Sequence, residues 1–117
     1  MDITKGEAQL ALDLWGEEAQ TRMMIEEVGE FLQAWNKYNR GHITKEEYVS
    51  EIADVCIMSQ QLVYIYEDVF DEVYPKKLAK FRNKLMRYTQ DEVKVQLEKV
   101  LKEESPELYE QMIKDKK

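Results

Sequence analysis

The chain has 117 residues, with 24 acidic and 17 basic side chains, a formal net charge of −7, one His, one Cys, four Gly and two Pro. That length suits a single domain with its own core, and the 44% hydrophobic and 35% charged content excludes a disordered tail. Scarce turn residues argue against a many-stranded sandwich or barrel, the lone Cys56 and His42 leave no Cys-rich zinc site or His-based nucleophilic dyad, and the acidic balance argues against nucleic acid as a partner.

In chain order, Thr4 with Glu7 forms a Ser/Thr-x-x-Glu capping box that opens a short helix over 5–15. Gly16 breaks that segment, and a long helix is expected over 18–39, closed by Gly41 after Arg40. Thr44 with Glu47 opens a third helix over 45–67. A fourth is expected over 70–87, with Pro75 tolerable only near its start or at a kink. Thr89 with Glu92 opens a fifth over 90–103, and Ser105-Pro106 starts a short sixth over 106–114. The strongly charged tail carries one apolar stripe, Val93, Leu97, Val100 and Leu101. The expected fold is all-α: a four-helix-bundle core over about 5–88 with a charged helical extension over about 89–117, one domain in all. A polar start and no long apolar run point to a cytoplasmic protein without a membrane span.

On a wheel at 100° per residue, Met24, Val28, Phe31, Leu32 and Trp35 of the second helix share a face and form its expected core stripe. Glu27 and Glu30, three apart, share a row with Met23, Ala34 and Tyr38. In the third helix Glu51 and Asp54 repeat the spacing in a row with Met58 and Ile65, and Asp54 sits in the otherwise apolar run Ile52-Ala53-Asp54-Val55-Cys56-Ile57-Met58. This helix is apolar nearly all round, so it is expected to be central, with excess apolar surface covered by another subunit. Antiparallel packing of the two helices would gather four carboxylates. Two explanations follow from spacing alone: solvated acidic faces with Asp54 answering a Lys or Arg, or a site for a hard cation such as Mg²⁺. A ferritin-like di-iron centre needs Glu-x-x-His motifs, and His42 follows neither acidic pair.

Glu26-Glu27-Val28-Gly29-Glu30, a 20-residue gap and Glu51-Ile52-Ala53-Asp54-Val55 resemble the E-x-x-E…E-x-x-D signature of the MazG-like, all-α nucleoside triphosphate pyrophosphohydrolases, over about residues 10–88. Trp15-Gly16-Glu17-Glu18-Ala19-Gln20 resembles, more loosely, the opening of short stand-alone members often encoded by phages. The resemblance implies Mg²⁺, with Mn²⁺ as a substitute, held by Glu27, Glu30, Glu51 and Asp54 as metal and catalytic residues. It also implies hydrolysis of nucleoside triphosphates, dNTPs foremost, to the monophosphate and pyrophosphate, in a homodimer or a dimer-of-dimers tetramer. Glu26 points away from Glu27 on the wheel and reads as solvated.

Downstream, Lys80, Arg87 and Tyr88 match a pattern resembling Lys-x-x-x-Asn-x-x-Arg-Tyr, with Lys84 at the Asn position and Asn83 one residue off. Lys76, Lys77, Lys80, Arg82, Lys84 and Arg87 make a basic cluster, either a solvated face or a clamp for the triphosphate. Lys80, Lys84 and Arg87 are the expected substrate contacts, and Trp15 is preferred to Trp35, Tyr38 and Tyr48 for stacking on a base. The alternative to an enzyme is a non-catalytic helical adaptor whose acids bind a structural cation or a basic partner.

Overall fold

The computed structural model describes residues 2–88 and 91–115. It contains five helices and, among the described residues, no strand: α1 (Lys5–Asn39), α2 (Lys45–Ile65), α3 (Glu67–Tyr88), α4 (Asp91–Glu104) and α5 (Pro106–Asp115). The chain forms two compact units, Met1–Glu67 and Asp68–Lys117. Among the described residues, no helix is long and apolar enough to cross a membrane.

The first unit is an antiparallel hairpin of α1 and α2. Thr4 caps α1 as a full capping box: its hydroxyl accepts from Glu7 N–H at 3.0 Å, and the Glu7 carboxylate accepts from Thr4 N–H at 3.0 Å. These donations hold the Glu7 carboxyl below its ordinary value. Gly16, with φ 83° and ψ 163°, interrupts the helical backbone where the sequence places a break. That φ belongs to the left-handed half of the map, where a side chain is strained. The far end closes in a Schellman turn: Gly41, at φ 76°, donates to Tyr38 C=O, and His42 donates to Lys37 C=O. Thr44 then caps α2 by accepting from Glu47 N–H. Here the Glu47 carboxylate accepts from the Thr44 hydroxyl rather than from its backbone, so the expected box is only half formed.

The open end of this hairpin, opposite the Gly41 turn, is tied by polar contacts. Gln60 Oε1 accepts from Asp2 and Ile3 N–H, Tyr64 OH donates to Gln9 Oε1, Tyr66 OH donates to Glu17, and Lys5 pairs with Glu67. At the turn end Tyr48 packs against Phe31, Trp35 and Tyr38 with ring centroids 5.8, 5.8 and 5.0 Å away. Such ring pairs contribute about 0.5–1.5 kcal/mol each beyond their burial.

The expected core stripe of α1 is covered only in part: Met24 and Phe31 are half-buried, and Phe31 stacks on Tyr48. Val28, Leu32 and Trp35 are exposed, and the buried residues of α1 are Ala8, Gln20 and Ala34. On α2, Val49, Ile52 and Ile57 are exposed too, and only Met58 is buried, so within the first unit α2 is not the surrounded, central helix expected. The reason is arithmetic of contact: α1 and α2 share one seam, which covers one side of helices that are apolar on several.

α3, all but its first residue in the second unit, begins at Glu67, immediately after Tyr66 ends α2 with φ −110° and ψ 29°. Pro75 therefore lies in the interior of α3, two turns in, rather than near its start. The Lys76-Lys77-Leu78-Ala79-Lys80 run that follows consists of good helix formers, which favour continuation past the missing N–H. Pro106 starts α5 as expected, and Met86, Leu101, Leu97 and Tyr109 form an apolar cluster. Val100 of the expected stripe is exposed. Thr89, the expected cap of α4, and the side chains of Glu92 and Val93 lie outside the described residues.

Candidate metal centre

The antiparallel seam sets the site. Gln20 of α1 lies opposite Gln61 of α2, and its Nε2 donates to Gln61 Oε1 at 2.7 Å. Moving along the pair, two motifs with the same three-residue spacing run past each other in opposite directions, so Glu27 meets both acids of α2 and Glu30 lies near Glu51. Glu27, Glu51 and Asp54 each present a carboxylate oxygen, all within 4.8 Å of one another. Glu30 lies beside the group, exposed, and its charge repels that on Glu27 and on Glu51. The four acids implied by the resemblance therefore converge.

Their surroundings make that convergence costly. Glu27 and Glu51 are half-buried, and Met58 and Ala34, members of the two acidic rows, are buried beside them in the sequence pattern. Glu27 Oε2 and Glu51 Oε2 are shielded from solvent and have no hydrogen-bond partner. Burial pushes the Glu27 carboxyl above its ordinary value, with repulsion from Glu30, Asp54 and Glu51 adding to it. Burial does the same to Glu51, followed by repulsion from Glu30 and Asp54. Among the described residues no Lys or Arg pairs with any of the four. A buried carboxylate without a partner is unfavourable unless it takes up a proton or a cation. The donor set, oxygen only and short of basic partners, fits a hard divalent ion that keeps some of its water.

Glu26 is exposed, in keeping with its wheel position. Trp15 is exposed on the first segment of α1, just before the Gly16 break. Trp35, Tyr38 and Tyr48 spend their faces on one another at the turn end of the hairpin. In the second unit Lys80, Lys84 and Arg87 recur at helical spacing on an exposed face of α3, away from the buried Ala79 and Met86. Arg82 Nη1 and Asn83 Oδ1 are shielded there without hydrogen-bond partners.

Two features were missed in the sequence. Gln20 is fully buried, with its Oε1 unpartnered. Lys37 lies with Glu30, Glu47 and Glu51 on the lining of a cavity of about 250 Å³ between α1 and α2. The signal for Lys37 was present, since it stands seven residues beyond Glu30 and therefore on the same row of α1. Comparisons of the chain with protein-family models, curated proteins and solved structures gave no match.

Proposed function

We propose that this chain hydrolyses nucleoside triphosphates in a divalent-cation-dependent reaction, releasing the monophosphate and pyrophosphate. The observation that carries the metal part is the pair of shielded, unpartnered oxygens Glu27 Oε2 and Glu51 Oε2 inside a cluster of four acids. A structural ion-pair role would put a basic side chain against them, and the described residues supply none. The E-x-x-E…E-x-x-D resemblance supplies the substrate class.

Glu27, Glu51 and Asp54 are the proposed ligands, with Glu30 as the fourth. When bound, Mg²⁺ or Mn²⁺ neutralises phosphate charge and lowers the pKa of a coordinated water. The chain's own contribution is placement: two half-buried carboxylates held by a helix pair, one on each helix, set the position of the reacting phosphates. In the metal-free state burial and mutual repulsion raise the Glu27 and Glu51 carboxyls, so a cation taken up there competes with protons for the same oxygens. The chemical change is attack of water on the α phosphorus: a new P–O bond forms, the bond from that phosphorus to the α–β bridging oxygen breaks, pyrophosphate leaves and the water proton goes to solvent, with no covalent enzyme intermediate.

Pyrophosphate release measured against a panel of ordinary and modified nucleoside triphosphates with Mg²⁺ tests this. Release from at least one, lost on chelation, is the expected result. A protein that binds Mn²⁺ at the cluster and turns over no nucleotide would instead be the cation-binding adaptor.

A further inference from the structure

The acidic cluster does not end at its four carboxylates. The cavity of about 250 Å³ that begins at Glu30 and Glu51 continues along the seam towards the Gly41 turn, with Gln33 and Lys37 on the α1 side and Glu47 on the α2 side. Among the described residues that line it, Lys37 is the one cation. Three carboxylates share the cavity with it, yet Lys37 forms no hydrogen bond or ion pair through its side chain among the described residues. Its ammonium is thus available to an incoming anion. Seven residues separate Glu30 from Lys37, which puts the two about 10 Å apart along one side of α1. Gln33, one turn before Lys37, adds an amide that can donate to the same anion.

Size and charge narrow the occupant. The volume falls below the roughly 300–1,000 Å³ of pockets that enclose a whole drug-sized ligand. It suits a chain of phosphates and leaves a nucleoside outside. An unaccompanied polyanion would be repelled by Glu30, Glu47 and Glu51, so only an anion that arrives with a cation at the cluster gains from Lys37.

We propose that Lys37, assisted by Gln33, binds the polyphosphate part of the metal-bound substrate. This assignment rests on the metal-centre reading above. It makes Lys37 a substrate-binding residue in the same unit as the four acids, independent of the basic face of α3. The ammonium supplies a point charge and the amide supplies a direction, so losing Lys37 is the larger loss.

The test is titration calorimetry with two probes, Mn²⁺ alone and inorganic pyrophosphate in the presence of Mn²⁺, on the full chain and its Lys37→Ala and Lys37→Arg variants. Lys37→Ala is expected to bind Mn²⁺ like the parent and to weaken metal-dependent pyrophosphate binding on the order of ten- to a hundredfold, as for a charge-assisted contact. Lys37→Arg should restore most of it. If Lys37→Ala binds pyrophosphate as the parent does, or if its loss lies in Mn²⁺ affinity instead, the assignment of Lys37 is overturned while the metal centre stands. A parent chain that binds no Mn²⁺ overturns the metal centre and this proposal with it.

Discussion

Along α1, the Glu27 carboxylate is half-buried in the seam with α2 while the apolar Val28, Leu32 and Trp35 beside it are exposed, against the usual division between charged and apolar side chains. The two faces have the same helix, the same neighbours in sequence and the same partner available. They differ in what the opposite helix offers. Across the seam stand Glu51, Asp54 and the buried Met58, and the small Ala34 lets the helices approach near the turn. At the turn end Phe31 and Trp35 both meet Tyr48 of α2. A seam that half-buries the Glu27 and Glu51 carboxylates while part of the apolar stripe stays exposed costs stability in the metal-free chain.

The largest expected effect comes from removing one charge from the seam. Asp54→Asn should abolish hydrolysis and leave the metal-free chain as stable as the parent or more so, because it relieves repulsion on Glu27 and Glu51 without breaking an ion pair. Denaturant unfolding in the presence of chelator checks this, and a markedly destabilised variant would show that Asp54 is a structural partner.

Next in size is the basic face of α3. Lys80→Ala and Arg87→Ala should each lower kcat/KM on the order of ten- to a hundredfold, about 1.5–3 kcal/mol for a charge-assisted contact, with Mn²⁺ affinity unchanged. Lys84→Asn should be tolerated, since the resembling pattern has an amide there. Raised salt should narrow the gap between parent and variants, because part of the attraction is long-range. Parent-like kinetics for both alanine variants would make this face a solvated one and leave Lys37 as the cation to examine.

The smallest effect is a slope. Glu27 and Glu51 have folded-state values raised above 4.5, so the metal-free folded chain binds more protons than the unfolded chain as pH rises from 4.5. Stability then falls across that window and levels off once both groups are ionised in the folded state. Glu7 acts in the opposite sense: its value is lowered, so its contribution is present above 4.5 and is lost as pH falls through the lowered value. Comparing the parent with a Glu27→Gln, Glu51→Gln double variant cancels Glu7. The double variant should show the shallower decline between pH 4.5 and neutrality, and equal slopes would mean that the seam carries no strain.

The sequence by itself determined the helices and the meeting of the acids. Caps at Thr4, Thr44 and Pro106, the Gly16 break and the Gly41 turn are made by bonds spanning a few residues, so their chemistry is written locally. The matched spacing of Glu27–Glu30 and Glu51–Asp54 needs only an antiparallel hairpin to bring them together. Which face of α1 entered the seam was another matter. A helix that is apolar on more than one side has no unique inward face, and the choice depends on the partner helix, whose own apolar residues surround it. Tertiary structure alone decided that the Glu27 and Glu51 carboxylates would be half-buried with one oxygen of each unpartnered, that Trp35 would lie tilted against Tyr48, and that the row beyond Glu30 would open into a cavity with Lys37 on its wall. Burial, orphaned polar atoms and cavities belong to the space between elements, where the identity of residues far apart in the chain sets the outcome.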